Sequence, residues 1–185
     1  DHPCPCLPLL LSAPTGGCGN IADGANSSAL GYLNTTTVDA VNGTAVGFRS
    51  TASGLHSFAA GGWVELNGDG VQDANELTLA SGAESVAVGL GAQATGAQST
   101  AVGVANIASG ANSSAVGHGN TASGVDSSAL GRGNIASGVT SSAVGAGNTA
   151  SGGDSSALGR GNTASGFFSS ALGFQNSTLG EASVA

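Results

Sequence analysis

Twelve residues, Glu65-Leu-Asn67-Gly-Asp69-Gly70-Val71-Gln-Asp73-Ala-Asn-Glu76, carry the densest chemistry in the 185-residue sequence. Oxygen-bearing side chains fall at positions 1, 3, 5, 9 and 12 of this stretch, Gly70 stands at position 6, and Val71 offers a carbonyl at position 7. Ca²⁺ takes six to eight hard oxygen ligands, and a terminal Glu supplies two of them. Four of the chain's 11 acidic residues crowd into this stretch, where their mutual repulsion is costly without a cation. The spacing predicts one Ca²⁺ per chain, held by Glu65, Asn67, Asp69, Val71, Asp73 and Glu76. A solvated acidic loop is the simpler alternative. Trp63 beside it reads as a packing anchor.

The second cluster is Cys4, Cys6 and Cys18. An odd cysteine count in an exported chain points to an intermolecular bond or a free thiol. The expectation is one bridge to Cys18 and one between chains, with the pairing open. Zinc held by His2 and the three cysteines is a weaker alternative, because the Cys-x-Cys spacing is unusual for it.

Catalytic chemistry has little to draw on. His56 and His118 have no acid partner in the pattern, and neither a triad nor a carboxylate pair is evident. With no Lys, only Arg49, Arg132 and Arg160, and a net charge of −8, the chain lacks the clustered cations that nucleic acid requires. No run is long and apolar enough to span a membrane as a helix. The absence of Met leads to the expectation that Asp1 lies downstream of a processing event, with export the simplest one. Asn26, Asn34, Asn42, Asn112 and Asn176 each begin an Asn-x-Ser/Thr sequon, a frequent chance event in so Asn- and Ser-rich a chain.

The elements that must carry these residues are set by a repeat. Ser-x-Ala-(Val/Leu)-Gly occurs at Ser27 to Gly31 and then from Ser85 at every 14th residue, at Ser99, Ser113, Ser127, Ser141, Ser155 and Ser169. Between these lies (Ile/Thr)-Ala-Ser-Gly, at Ile107, Thr121, Ile135, Thr149 and Thr163. Charged residues make up only 8% and aromatics 4%, so the interior must be narrow and built from small side chains. Two strands of four or five residues and two glycine corners would consume one repeat, and successive turns would stack as parallel strands about 4.8 Å apart. Two glycines per 14 residues disfavour helix. The pattern predicts an all-β solenoid over residues 19–185, a Cys/Pro-rich tail over 1–18, and an inserted loop over 62–81. A smaller insertion of two residues falls at Tyr32 to Gly43. Asp126 and Arg132 recur as Asp154 and Arg160, with Thr140 and Ala146 in the turn between, which keeps like charges two turns apart. A weak pairing of Asp126 with Arg132 within one turn is expected.

The joined signatures resemble the YadA-type head repeats of trimeric autotransporter adhesins, over residues 19–185. The resemblance implies a left-handed parallel β-roll, a homotrimer, an extracellular or cell-surface place, and binding to host matrix or other cells. The acidic stretch is similar to the calcium loops of EF-hands and dockerins, from which Glu at its first position departs. The sequence shows no heptad stalk, neck motif or outer-membrane anchor, which favours a secreted structural protein that polymerises head to tail through its N-terminal tail. An adhesin head is the alternative. An ice-binding role is remote, since the column Ile107, Thr121, Ile135, Thr149 and Thr163 is mixed and one residue wide.

Overall fold

A computed structural model describes residues 15–64, 68, 73 and 76–185. Among these residues the chain forms two eleven-stranded parallel sheets. Each turn gives one long strand to the first sheet, such as Ser128–Arg132, and one short strand to the second, such as Ile135–Ala136. Register is strict: Ser128 pairs with Ser142, Ala129 with Ala143 and Arg132 with Ala146. The described chain is thus an all-β solenoid with a 14-residue turn, as the repeat predicts.

The two strands of a turn are unequal. The long one has five residues, the short one only two. The sequence argument predicts two strands of four or five, because it allots the corners too few residues. Each turn bends at two kinds of position with positive φ. One is a glycine or its equivalent, such as Gly133 (φ 62), and the other is a non-glycine residue such as Asp126 (φ 56).

The two glycines of each repeat serve different ends. Gly117 has φ 122, which L side chains avoid, and a Cβ there would lie 2.0 Å from the carbonyl oxygen of Gly131. Gly124 has an ordinary φ and is required by close approach, since its Cβ would lie 1.9 Å from the Gly138 oxygen one turn on. Positive φ therefore explains only one of the two glycine signatures.

Alternation sorts the long strand as expected. In Ser127-Ser128-Ala129-Leu130, Ser127 and Ala129 are buried and Leu130 is exposed. Ala129 and its equivalents face the short strands' Ala136 column, and the hydrophobic interior is a run of alanines from Ala45 to Ala171, each at most 1% exposed. The sheets lie so near each other that a methyl group fills the space between them, which is why the composition lacks large core residues.

Two boundaries move. Thr15–Cys18 is already a long strand, with Gly17 paired to Gly31 and Cys18 to Tyr32. The stack is thus already under way at residue 15, ahead of the first signature at 19, because backbone pairing does not need the Ser and Ala of the signature. The large insertion leaves the stack after Gly62 and rejoins it at Leu79, whose strand pairs with Thr51–Ala52. It spans 63–78 rather than 62–81. The Val64 N–H donates to the Glu76 carbonyl at 3.0 Å and closes its base. The smaller insertion is where the sequence places it, since Ser28 pairs with Thr44, 16 residues on.

Candidate interaction face

A column of buried asparagines locks the turns together. Asn34, Asn106, Asn120, Asn134, Asn148 and Asn162 are all fully buried. Each makes the same bonds. Asn134 Nδ2 donates to the Leu130 carbonyl four residues back (2.8 Å) and to the Gly145 carbonyl in the next turn (2.8 Å). Its Oδ1 accepts the Asn148 N–H at 2.9 Å. The amide thus satisfies backbone groups that the bend after the long strand leaves unpaired, which a buried polar group must do. The column is interrupted at Ser50, Thr78 and Ala92, next to the two insertions. There Thr78 Oγ1 bonds the Gly62 and Gly89 carbonyls instead. Sequence reasoning missed this ladder, although the recurring Gly-Asn of Gly119-Asn120, Gly133-Asn134, Gly147-Asn148 and Gly161-Asn162 signals it. Burial also removes Asn34 from the accessible sequons, whereas Asn26, Asn42 and Asn112 stand exposed at corners.

Opposite this rigid interior, the long sheet turns an aliphatic column outward. Leu30, Leu130, Leu158 and Leu172 range from 38% to 60% exposed, and Val46, Val88, Val102, Val116 and Val144 are half-buried between them. These residues are in lateral register from turn to turn, as Val116, Leu130 and Val144 show. A flat apolar stripe of this length is a surface that proteins ordinarily cover.

The stripe has two edges. Along one run the corner residues Glu84, Gln98, Asn112, Asp126, Thr140 and Asp154. Neutral donors bond the carboxylates from adjacent turns: Gln98 to Glu84 (2.8 Å), Asn112 to Asp126 (2.9 Å), and the Thr140 hydroxyl to Asp154. Along the other edge run His118, Arg132, Ala146, Arg160 and Phe174, in register. Arg132 and Arg160 flank a shallow groove floored by Gly133, Ala146 and Gly147. Arg160 also lies 5.6 Å from the Phe174 ring centroid. The expected pairing of Asp126 with Arg132 within one turn is not what forms. Asp126 stands at the corner before a five-residue strand and Arg132 at that strand's far end, and Asp126 accepts a bond from Asn112. The two-turn spacing of like charges does hold.

A family model for the YadA head domain repeat matches residues 39–62, 80–104, 108–134, 136–162 and 164–185, well over half of the chain. The chain belongs to the YadA head-repeat family. YadA head repeats form structural, adhesin-type domains and are not an enzyme family. They are surface-exposed, consistent with the extracellular place the sequence points to. The matched segments leave out 63–79, where the insertion departs from the stack. No curated protein matches the chain. Among the described residues no helix is long and apolar enough to cross a membrane.

The other sequence-predicted sites are only partly described. Glu65, Asn67, Asp69 and Val71 lie outside the described residues, as do Cys4 and Cys6. Of the calcium set, Asp73 and Glu76 are described. The Asp73 N–H donates to Glu76 Oε2 (3.0 Å), the Glu76 N–H donates to the Asp73 carbonyl (3.0 Å), and Glu76 is fully buried. Among the described residues no three His, Cys, Asp or Glu side chains gather as a metal site. Cys18 is half-buried at the end of the first strand.

Proposed function

We propose that this chain is a non-catalytic, extracellular YadA-type head module that works as a homotrimer and presents a rigid surface for adhesion. The observation that carries the trimer is the exposed aliphatic column from Leu30 to Leu172. A solenoid whose own core is alanine gains little by burying side chains internally. Each Leu or Val of the column is worth about 1.5–3 kcal/mol when fully buried, so covering the column against neighbouring copies is the larger gain. Sedimentation equilibrium on the full chain is expected to give three chains per particle. Leu130→Glu with Leu158→Glu is expected to give monomers that keep their β-sheet circular dichroism. A monomeric unmodified chain would sink the reading. The adhesive role is tested by binding to surfaces coated with matrix proteins or cells.

A second reading is a filament that joins head to tail through the tail. It rests on the Cys/Pro-rich composition of residues 1–17 and on a register that stays constant through the stack. Under it, a chain lacking residues 1–17 stays as discrete particles in negative-stain images, whereas long filaments from that chain would contradict it. A bridge from Cys18 to Cys4 or Cys6 belongs to the same proposal, with the remaining cysteine linking chains. Its support is the place of Cys18, half-buried at the end of the first strand and directly after the segment that carries Cys4 and Cys6 in the sequence. Covalent oligomers on a non-reducing gel should collapse with reductant.

Calcium at the inserted loop remains part of the proposal. The residues present fit it. Glu76 is a fully buried carboxylate, and burial of that charge demands compensation. Its reciprocal bonds with Asp73 bring the loop's last two acidic residues together. The cation would be held by these two with Glu65, Asn67, Asp69 and the Val71 carbonyl, and would make the insertion a stiff projection from the stack.

A further inference from the structure

The two edges of the aliphatic stripe match each other turn by turn. Asp126 and Arg132 bound one long strand, Asp154 and Arg160 bound another, and the strand between is bounded by Thr140 and Ala146. The turn after is bounded by Phe168 and Phe174, 55% and 58% exposed. Acid thus faces base, neutral faces neutral and aromatic faces aromatic across four successive turns. The Glu84 turn departs from this, with Leu90 at its other edge and the Glu84 carboxylate bonded by Gln98.

Such matching is what contact produces, yet contact within one chain is ruled out by length. Five residues lie between Asp126 and Arg132, a span of up to roughly 20 Å of backbone, beyond the combined reach of the two side chains. The match must therefore be met by a neighbour. In a cyclic trimer whose axis runs along the solenoid, every interface is heterologous: one edge of a protomer meets the opposite edge of the next. The same axis sets equal turns level.

We infer that Asp126 and Asp154 of one copy pair with Arg132 and Arg160 of the adjacent copy, beside an aromatic contact between Phe168 and Phe174, and that these pairs favour the level, closed trimer over a staggered, open array. This rests on the trimer proposed above. The neutral turn between gives the pairs their meaning. A slip of one turn would set Asp126 against Ala146 and Asp154 against Phe174, so only the level alignment satisfies both pairs. The apolar column supplies area but no register, since Val116, Leu130, Val144 and Leu158 are interchangeable. Charged rims commonly supply such specificity.

The test uses three full-length variants of exposed residues. The first carries Arg132→Asp with Arg160→Asp, the second Asp126→Arg with Asp154→Arg, and the third all four changes. The third restores complementarity at unchanged net charge. At low salt the first two are expected to trimerise roughly tenfold more weakly than the unmodified chain, and the third to recover. In 1 M NaCl the differences should shrink. Mixing the first two variants should yield mixed trimers in excess of chance by native mass spectrometry, because an acidic edge then meets a basic one on another chain. If the unmodified chain is trimeric but the first two variants match it, or no mixed excess appears, the pairing is overturned and the trimer stands. If the unmodified chain is monomeric, both fall.

Discussion

Asn120 Oδ1 accepts two bonds from Asn134, one from its backbone N–H (2.9 Å) and one from its Nδ2 (3.1 Å). From Asn120 to Asn162 each asparagine donates the same two bonds to the one before it, so this part of the solenoid is held by a side-chain ladder as well as by two backbone ladders. Asn134→Ala should leave the Leu130 and Gly145 carbonyls and the Asn148 N–H short of partners. The expected loss is about 3 kcal/mol, given roughly 1–3 for each unsatisfied buried group and partial relaxation. Asn176→Ala, where the residue is half-exposed, should cost about 1 kcal/mol. Urea unfolding of both variants measures this, and equal losses would contradict a ladder whose value depends on burial.

Two glycines five residues apart should respond unequally to one methyl group. Gly124→Ala drives a Cβ to 1.9 Å from the Gly138 oxygen, so two turns must part. A loss of about 3 kcal/mol or more is expected, at the upper end of overpacking costs. Gly119 has φ 63 and open space around it, so Gly119→Ala should cost only the left-handed strain, about 1 kcal/mol. Thermal unfolding monitored at the β-sheet band reports the difference.

The interior is one methyl deep, which makes it intolerant of larger apolar residues. Ala129→Leu, at a fully buried site, should destabilise by about 1–3 kcal/mol or prevent folding. Ala146→Leu, half-exposed on the arginine edge, should stay within about 0.5 kcal/mol. Equal effects at both sites would mean that the sheets can separate to admit large side chains.

Calcium is expected to raise the melting temperature of chelator-stripped protein. A ligand at a hundred times its dissociation constant stabilises by about 2.7 kcal/mol. Glu76→Gln should abolish most of the rise, because it removes a fully buried carboxylate at the base of the loop. No heat in titration calorimetry and no melting shift up to several millimolar Ca²⁺ would remove the metal from the proposal.

By itself, the sequence determined the turn. Ser-x-Ala-(Val/Leu)-Gly at a fixed step, in a chain almost free of large side chains, admits little but stacked parallel strands, since each residue sees its own equivalent above and below. The two-residue insertion, the long insertion and the spacing of Asp126, Arg132, Asp154 and Arg160 could all be read from counting. What counting could not give was direction and distance. That Asn134 points inward and reaches three backbone groups, that Gly124 answers to a neighbouring carbonyl rather than to its own φ, and that Gly17 joins the stack without Ser or Ala were decided by how closely adjacent turns approach. The same holds for Asp126 and Arg132. Their recurrence is written in the sequence, but only the strand between them, which holds the two apart at opposite edges, separates them within one chain and underlies the proposed pairing between copies.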